Sequence, residues 1–199
     1  MKQPIVIGIT GGIGGGKTTF SRHLAHCGEL VYDTDLEAKV LQNTNESLIE
    51  KIKEHFGADI YNLSGLNRAK LAKIVFNNPE KLQVLNSIVH PAVIDDLKRW
   101  IKEHSDRKFL FMESAILFEV NLNTLMDKIV VITAPEDVRI ARVMKRDGLD
   151  EESVRARIRN QMPEIDKIEK ADWVFDTDND ILPSQRVDKF LKMINSIYP

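Results

Sequence analysis

Gly11-Gly12-Ile13-Gly14-Gly15-Gly16-Lys17-Thr18 follows directly on the apolar run Ile5, Val6, Ile7 and Ile9, and it satisfies G-x-x-x-x-G-K-[ST] at every specified position. The arrangement predicts a strand, a tight glycine loop and a helix, with a nucleoside triphosphate held between them. Six of the ten glycines, Gly8, Gly11, Gly12, Gly14, Gly15 and Gly16, fall within nine residues, where side chains would keep backbone N–H groups from closing around phosphate oxygens. The expected cradle is Gly12, Ile13, Gly14, Gly15, Gly16, Lys17, Thr18 and Thr19, working mainly through its backbone. Lys17 adds a point charge for the β- and γ-phosphates. The Thr18 hydroxyl is placed to hold Mg²⁺, and Thr19 to His26 continue as a helix whose positive end faces the anion.

Downstream of this loop the pattern alternates. Gly28 is an expected helix cap before a short strand, Leu30 to Tyr32, and Asp33-Thr34-Asp35 follows. From about Asp35 to His104 the apolar spacing becomes helical, with Leu48, Ile49, Ile52 and Phe56, then Leu82, Leu85, Ile88 and Val89. Phe109 to Met112 and Lys128 to Ile132 are near-continuous apolar runs, as parallel strands covered on both faces require. A helix is expected from Pro135 to about Arg146, a fifth strand at Trp173 to Phe175, and a closing helix from Val187 to Ile197. The fold class expected is α/β: a P-loop NTPase-type core with a five-stranded parallel sheet, whose ligands gather at the carboxyl ends of the strands.

A length of 199 residues with 43% apolar content suffices for one principal domain with inserted subdomains. The net charge of −2 calls for neither nucleic acid nor an anionic membrane, so a small-molecule substrate is expected. Lone Cys27 excludes an internal disulfide framework, the apolar runs are too short to span a bilayer, and the first strand begins too early for a leader peptide. A cytoplasmic protein is the expectation. His23, His26 and Cys27 share a helix face but lack a fourth ligand, so no zinc is assigned.

Acids at strand ends are the first chemical candidates: Asp33, Asp35 and Glu113. Asp33 is the expected base, placed to accept or orient the proton of an attacking hydroxyl. Thr34 and Glu37 also read as a capping box starting the next helix. Glu113 resembles a Walker B acid near Mg²⁺, or a plain cap, and Glu119 is unconstrained. Arg139, Arg142 and Arg146 share one helix face, and Arg155, Arg157 and Arg159 follow an acidic patch. Residues from about 146 to 162 are expected to form a lid bringing guanidinium groups to the phosphate, with salt bridges to that patch as the alternative.

Together these elements resemble the dephospho-coenzyme A kinase family over nearly the whole chain. The resemblance rests on Thr10 to Thr19, on Asp33-Thr34-Asp35, on Arg68, Leu71 and Phe76-Asn77-Asn78-Pro79, and on Leu85 to Pro91. Ile116-Leu117-Phe118-Glu119, Arg142, Arg146-Asp147 and Ala171-Asp172 add to it. Gly15 and Thr18 stand where the family commonly has Ser, and Glu113-Ser114-Ala115 replaces a more apolar, Pro-containing stretch. The resemblance implies ATP- and Mg²⁺-dependent phosphorylation of the ribose 3′-hydroxyl of dephospho-coenzyme A. It implies a nucleotide core at residues 1–34 and 105–199, a helical substrate-binding insertion at 35–104, and a lid. In that reading Lys17, Asp33 and Arg142 are catalytic, Thr18 holds the metal, and Asp33, Arg68 and His90 meet the substrate. Pro91 is equally readable as a helix break. A monomer or small homo-oligomer is expected. Rivals are another small-molecule kinase of this architecture and a nucleotide switch or ATPase module.

Overall fold

Seven strands, nine α-helices and two short 3-10 turns occur among the described residues of the computed structural model, 3–76 and 78–199, with the Phe76 side chain set aside. The Phe76 side chain and Asn77, part of one substrate-domain signature, therefore lie outside the described residues. The strands are β1 (Ile5–Thr10), β2 (Val31–Asp33), β3 (Tyr61–Asn62), β4 (Gly65–Leu66), β5 (Phe109–Glu113), β6 (Lys128–Thr133) and β7 (Trp173–Asp176). The helices are α1 (Lys17–His26), α2 (Thr34–Thr44), α3 (Glu46–Phe56), α4 (Arg68–Phe76), α5 (Pro79–Glu103), α6 (Glu136–Asp147), α7 (Glu151–Arg159), α8 (Glu164–Glu169) and α9 (Pro183–Ile197). They fall into two compact units, Met1–Tyr32 with His104–Pro199, and Asp33–Glu103.

The first unit is built on a five-stranded parallel sheet in the order β2-β5-β1-β6-β7. Strand β1 is central, pairing Ile9 with Glu113 of β5 and with Val130 of β6. All five residues of β5 are buried, as the unbroken apolar run requires of a strand covered on both faces. Ile7, Ile9, Phe111, Val130 and Ile132 pack on Phe20 and Leu24 of α1 and on Val187, Phe190 and Ile194 of α9. Each such side chain contributes about 1.5–3 kcal/mol by leaving water. The Phe190 ring is the hub, with Phe20 and Trp173 at 5.5 Å and Phe175 at 5.6 Å between centroids. Helix α9 starts at Pro183, four residues before the expected Val187, because proline presets the first helical φ and Gln185 accepts from the Leu182 N–H. At the end of α1 the cap is Cys27 rather than Gly28, which follows it in the left-handed region. A satellite core of Ile140, Val143 and Val154 joins α6 to α7 and takes in Ile13 from the glycine loop.

The second unit is helical around Leu48, Ile52 and Phe56 of α3, spaced four apart, and Val89, Val93 and Leu97 of α5, with the same spacing. Two features correct the sequence reading. A β3–β4 hairpin interrupts the helices, closed by Asn43, whose Oδ1 accepts from the Leu66 N–H at 2.9 Å. Pro91 does not end a helix: α5 runs for 25 residues through it, so the loss of one backbone bond is outweighed by packing on α2, α3 and α4. Among the described residues no helix is long and apolar enough to cross a membrane.

Candidate active site

Between β1 and α1 the glycine loop folds back tightly on the rest of its unit. A Cβ on Gly14 would sit 2.4 Å from the Arg139 carbonyl oxygen, and one on Gly15 only 2.5 Å from that of Ile132. Glycine is demanded at both positions by sterics in this conformation. Gly16 caps α1 in the left-handed region without any side-chain bond. The loop thus leads into the positive N-terminal end of α1, where an anion is favoured. Lys17 is buried, and its Nζ donates to the carbonyls of Gly11 at 2.8 Å and Gly12 at 3.1 Å, while Gly15 N–H donates to Gly12 O at 3.1 Å.

The Thr18 hydroxyl donates to Glu113 Oε1 at 2.8 Å. Strand register explains the pairing: Glu113 sits beside Ile9 at the carboxyl end of β5, one strand over from the loop. This gives Glu113, ambiguous from sequence, a definite neighbour. A hydroxyl with lone pairs to spare and a buried carboxylate are hard oxygen donors, the set Mg²⁺ takes when phosphates and water fill its other positions. Among the described residues no cluster of three or more His, Cys, Asp or Glu could hold a metal on its own.

Arg142 spans two clefts. Its Nη1 donates to Thr177 Oγ1 at 2.7 Å and its Nη2 to Thr177 O at 3.0 Å. One cleft, about 290 Å³, runs over Gly14, Gly16, Lys17, Thr18, Thr19, Arg22, Arg142 and Arg146, and is lined by cations and loop backbone. The other, about 420 Å³, combines Phe20, Ile181, Leu182 and Pro183 with Thr19, Thr177, Asn179, Asp180 and Arg186. Phosphate suits the first and a flat apolar group with polar edges suits the second. Arg186 is buried and donates to Asn179 Oδ1 at 2.8 Å and Ile181 O at 3.2 Å. Burial holds its pKa below the usual guanidinium range, with Arg142 adding to the effect and Asp176 opposing it. Thr177, Asn179 and Arg186 were missed in the sequence, although the polar stretch after β7 lies at a strand carboxyl end.

The other arginines do not form one solvated basic face. Arg139 is buried, its Nε donating to Ala134 O at 3.0 Å. Arg146 pairs with Asp147, Arg155 with Glu151 and Glu136, Arg157 with Asp147, and Arg159 with Glu152. In this conformation the salt-bridge alternative holds for all four. Glu119 is also placed: its Oε1 accepts from Met162 N–H at 2.8 Å and pairs with the fully buried Lys167 at 3.0 Å.

Three expected site residues belong to the second unit. Asp33, the last residue of β2, is itself the cap of α2, its Oδ1 accepting from the N–H groups of Asp35 and Leu36, both at 3.0 Å. The Thr34–Glu37 capping box is therefore corrected by one residue, since Thr34 is already helical. Both bonds end on Oδ1, and the cap does not use Oδ2. Arg68 opens α4 and donates to Gln42 Oε1 and, at 2.8 Å, to Lys39 O. His90 is half-buried on α5, and desolvation lowers its pKa.

The sequence model of dephospho-CoA kinase matches residues 5–182. A dephospho-CoA kinase from Carboxydothermus hydrogenoformans is 40% identical over 179 residues, covering 88% of this chain and 87% of its own. Among solved structures, a Thermus thermophilus protein superposes with a TM-score of 0.82 at 34% identity, covering the whole of both chains. A dephospho-CoA kinase from Campylobacter jejuni superposes with 0.71 at 27% identity, covering 98% of each.

Proposed function

Since this chain belongs to the dephospho-CoA kinase family, the enzyme of the final step of coenzyme A biosynthesis, we propose which of its residues carry the transfer of phosphate from ATP to the ribose 3′-hydroxyl. The observation that carries the assignment is the trio at the loop: an α1 start capped by a glycine with no side chain in the way, the Lys17 ammonium, and Thr18 bonded to Glu113. Lys17 and the later loop amides hold the β- and γ-phosphates; the Gly12 and Ile13 N–H groups of the expected cradle donate to Glu164 and Gln161 instead. The cleft bounded by Phe20, Thr177, Asn179 and Arg186 takes the nucleoside of ATP. Thr18, supported by Glu113, holds Mg²⁺, which when bound neutralises phosphate charge. Arg142, at the join of the two clefts, stabilises charge on the group in transfer.

Asp33 is the base. Its Oδ2, not used by the α2 cap, accepts the proton of the attacking hydroxyl, and phosphoryl transfer otherwise asks the protein mainly for positioning and electrostatics. The unit Asp33–Glu103 binds dephospho-coenzyme A, with Arg68 and His90 among its contacts, and the segment 146–162 is the lid. Exposed Cys27 as the lone cysteine supports a reducing, cytoplasmic setting, and a monomer or small homo-oligomer suffices for this chemistry.

The test is ADP release by purified protein with Mg²⁺ and ATP, comparing dephospho-coenzyme A with CMP, AMP and gluconate. Turnover confined to dephospho-coenzyme A, with the 3′-phosphorylated product identified by mass, is expected. Activity on another acceptor keeps the kinase and overturns the substrate; ADP release without acceptor overturns the transfer reading.

A further inference from the structure

We infer that Gln161, in the turn between α7 and α8, and Glu164, the first residue of α8, are positioning residues that hold Lys17 in place through the backbone of the phosphate loop. Glu164 Oε2 accepts from Gly12 N–H at 2.7 Å, and Gln161 Oε1 accepts from Ile13 N–H at 3.0 Å. A peptide group is planar, with its N–H and C=O pointing opposite ways. The Gly12 N–H shares its plane with the Gly11 carbonyl, and the Ile13 N–H with the Gly12 carbonyl. Those two carbonyls are the ones that receive the Lys17 ammonium, at 2.8 and 3.1 Å. Orienting the two N–H groups from outside therefore orients the seat of Lys17 from within, and the Gly12 carbonyl also takes the Gly15 N–H that closes the loop.

The outside partner is itself anchored. Lys167, fully buried, donates to Ala115 O at 2.9 Å and pairs with Glu119, which also holds Met162 N–H, so α8 is fastened to the segment after β5. Glu164 Oε1, by contrast, is buried with no hydrogen-bond partner among the described residues. Burying an acceptor unsatisfied is destabilising, and the bond of the other oxygen to Gly12 N–H offsets that cost.

The inference rests on the reading of the loop as an ATP site, and binding of the unhydrolysed analogue AMP-PNP with Mg²⁺, followed by calorimetry, tests it without any acceptor. Gln161→Met and Glu164→Met remove the acceptors at similar volume; Gln161→Glu and Glu164→Gln keep an oxygen in reach. The methionine variants are expected to weaken binding about tenfold, as loss of an orienting bond does, while the conservative pair stays within about threefold of wild type. In a Lys17→Met background the same methionine changes are expected to cost less than about twofold, because their effect runs through Lys17. Unaltered affinity in the single variants, equal losses in both backgrounds, or no recovery in the conservative pair overturns the inference. If a methionine variant does not fold, Gln161→Ser or Glu164→Ser, too short to reach the loop, replaces it in the same cycle. Failure of wild type to bind AMP-PNP overturns the nucleotide reading instead.

Discussion

The proposed base role of Asp33 and its capping role fall on different oxygens, so a single substitution separates them. Asparagine caps a helix as well as aspartate does and keeps an oxygen for the Asp35 and Leu36 N–H groups, but it cannot take a proton. Asp33→Asn is therefore expected to leave the thermal midpoint within about 2 °C while turnover falls about 10²- to 10⁴-fold; near-normal turnover removes Asp33 from the role. Glu113 allows a parallel argument. Glu113→Gln preserves an acceptor for Thr18 but deletes a charge, so the Mg²⁺ concentration for half-maximal rate should rise about tenfold or more, and a Mg²⁺ titration at fixed ATP reads it. What made Lys17 and Thr18 legible was local: four specified positions in eight consecutive residues. Glu113 was ambiguous because many strands end in an acid, and only the register of β5 against β1 brings it to Thr18. Gln161, Glu164 and Thr177 were silent because their contacts reach the loop across more than a hundred residues.

Helix α5 shows how far periodicity carries and where it stops. Its buried face, Val89, Val93 and Leu97, is plain in the sequence, whereas its continuity through Pro91 is not, because local propensity argues for a break and packing overrides it. The β3–β4 hairpin was hidden for the related reason that two-residue strands carry no alternation to detect. His90, on the same helix, gives a pH test. Burial lowers its pKa in the folded state, so the unfolded chain binds its proton more readily. Stability from this group is fully present above the unfolded value of about 6.5 and declines as pH falls from there toward the lowered folded value, below which both states are protonated. His90→Gln should remove that part of the slope: urea midpoints between pH 7.5 and 5 are expected to fall less in the variant than in wild type. Identical slopes would mean that His90 is not desolvated in solution.

The order β2-β5-β1-β6-β7 could not be read from the chain, since non-local pairing sets it, but the class of sheet could, because apolar runs covered on both faces belong to parallel strands. The same division separates the arginines of α7 from their use. Their spacing is in the sequence; their partners depend on state. Here Arg155 pairs with Glu151 and Glu136, Arg157 with Asp147, and Arg159 with Glu152, all at exposed positions. Exposed pairs contribute about 0–1 kcal/mol each, so a bound polyphosphate, offering several acceptor oxygens at higher charge, can take these guanidinium groups over at small expense. If the proposed lid closes over both substrates, closure removes these arginines from solvent. Tryptic cleavage after Arg155, Arg157 and Arg159 is expected to slow about tenfold with ATP and dephospho-coenzyme A together, because cleavage follows the population of the open form. Raised salt without substrates should speed it, as the surface pairs are screened. If cleavage is unchanged by both substrates, the segment does not close and the arginines are surface ion pairs in every state.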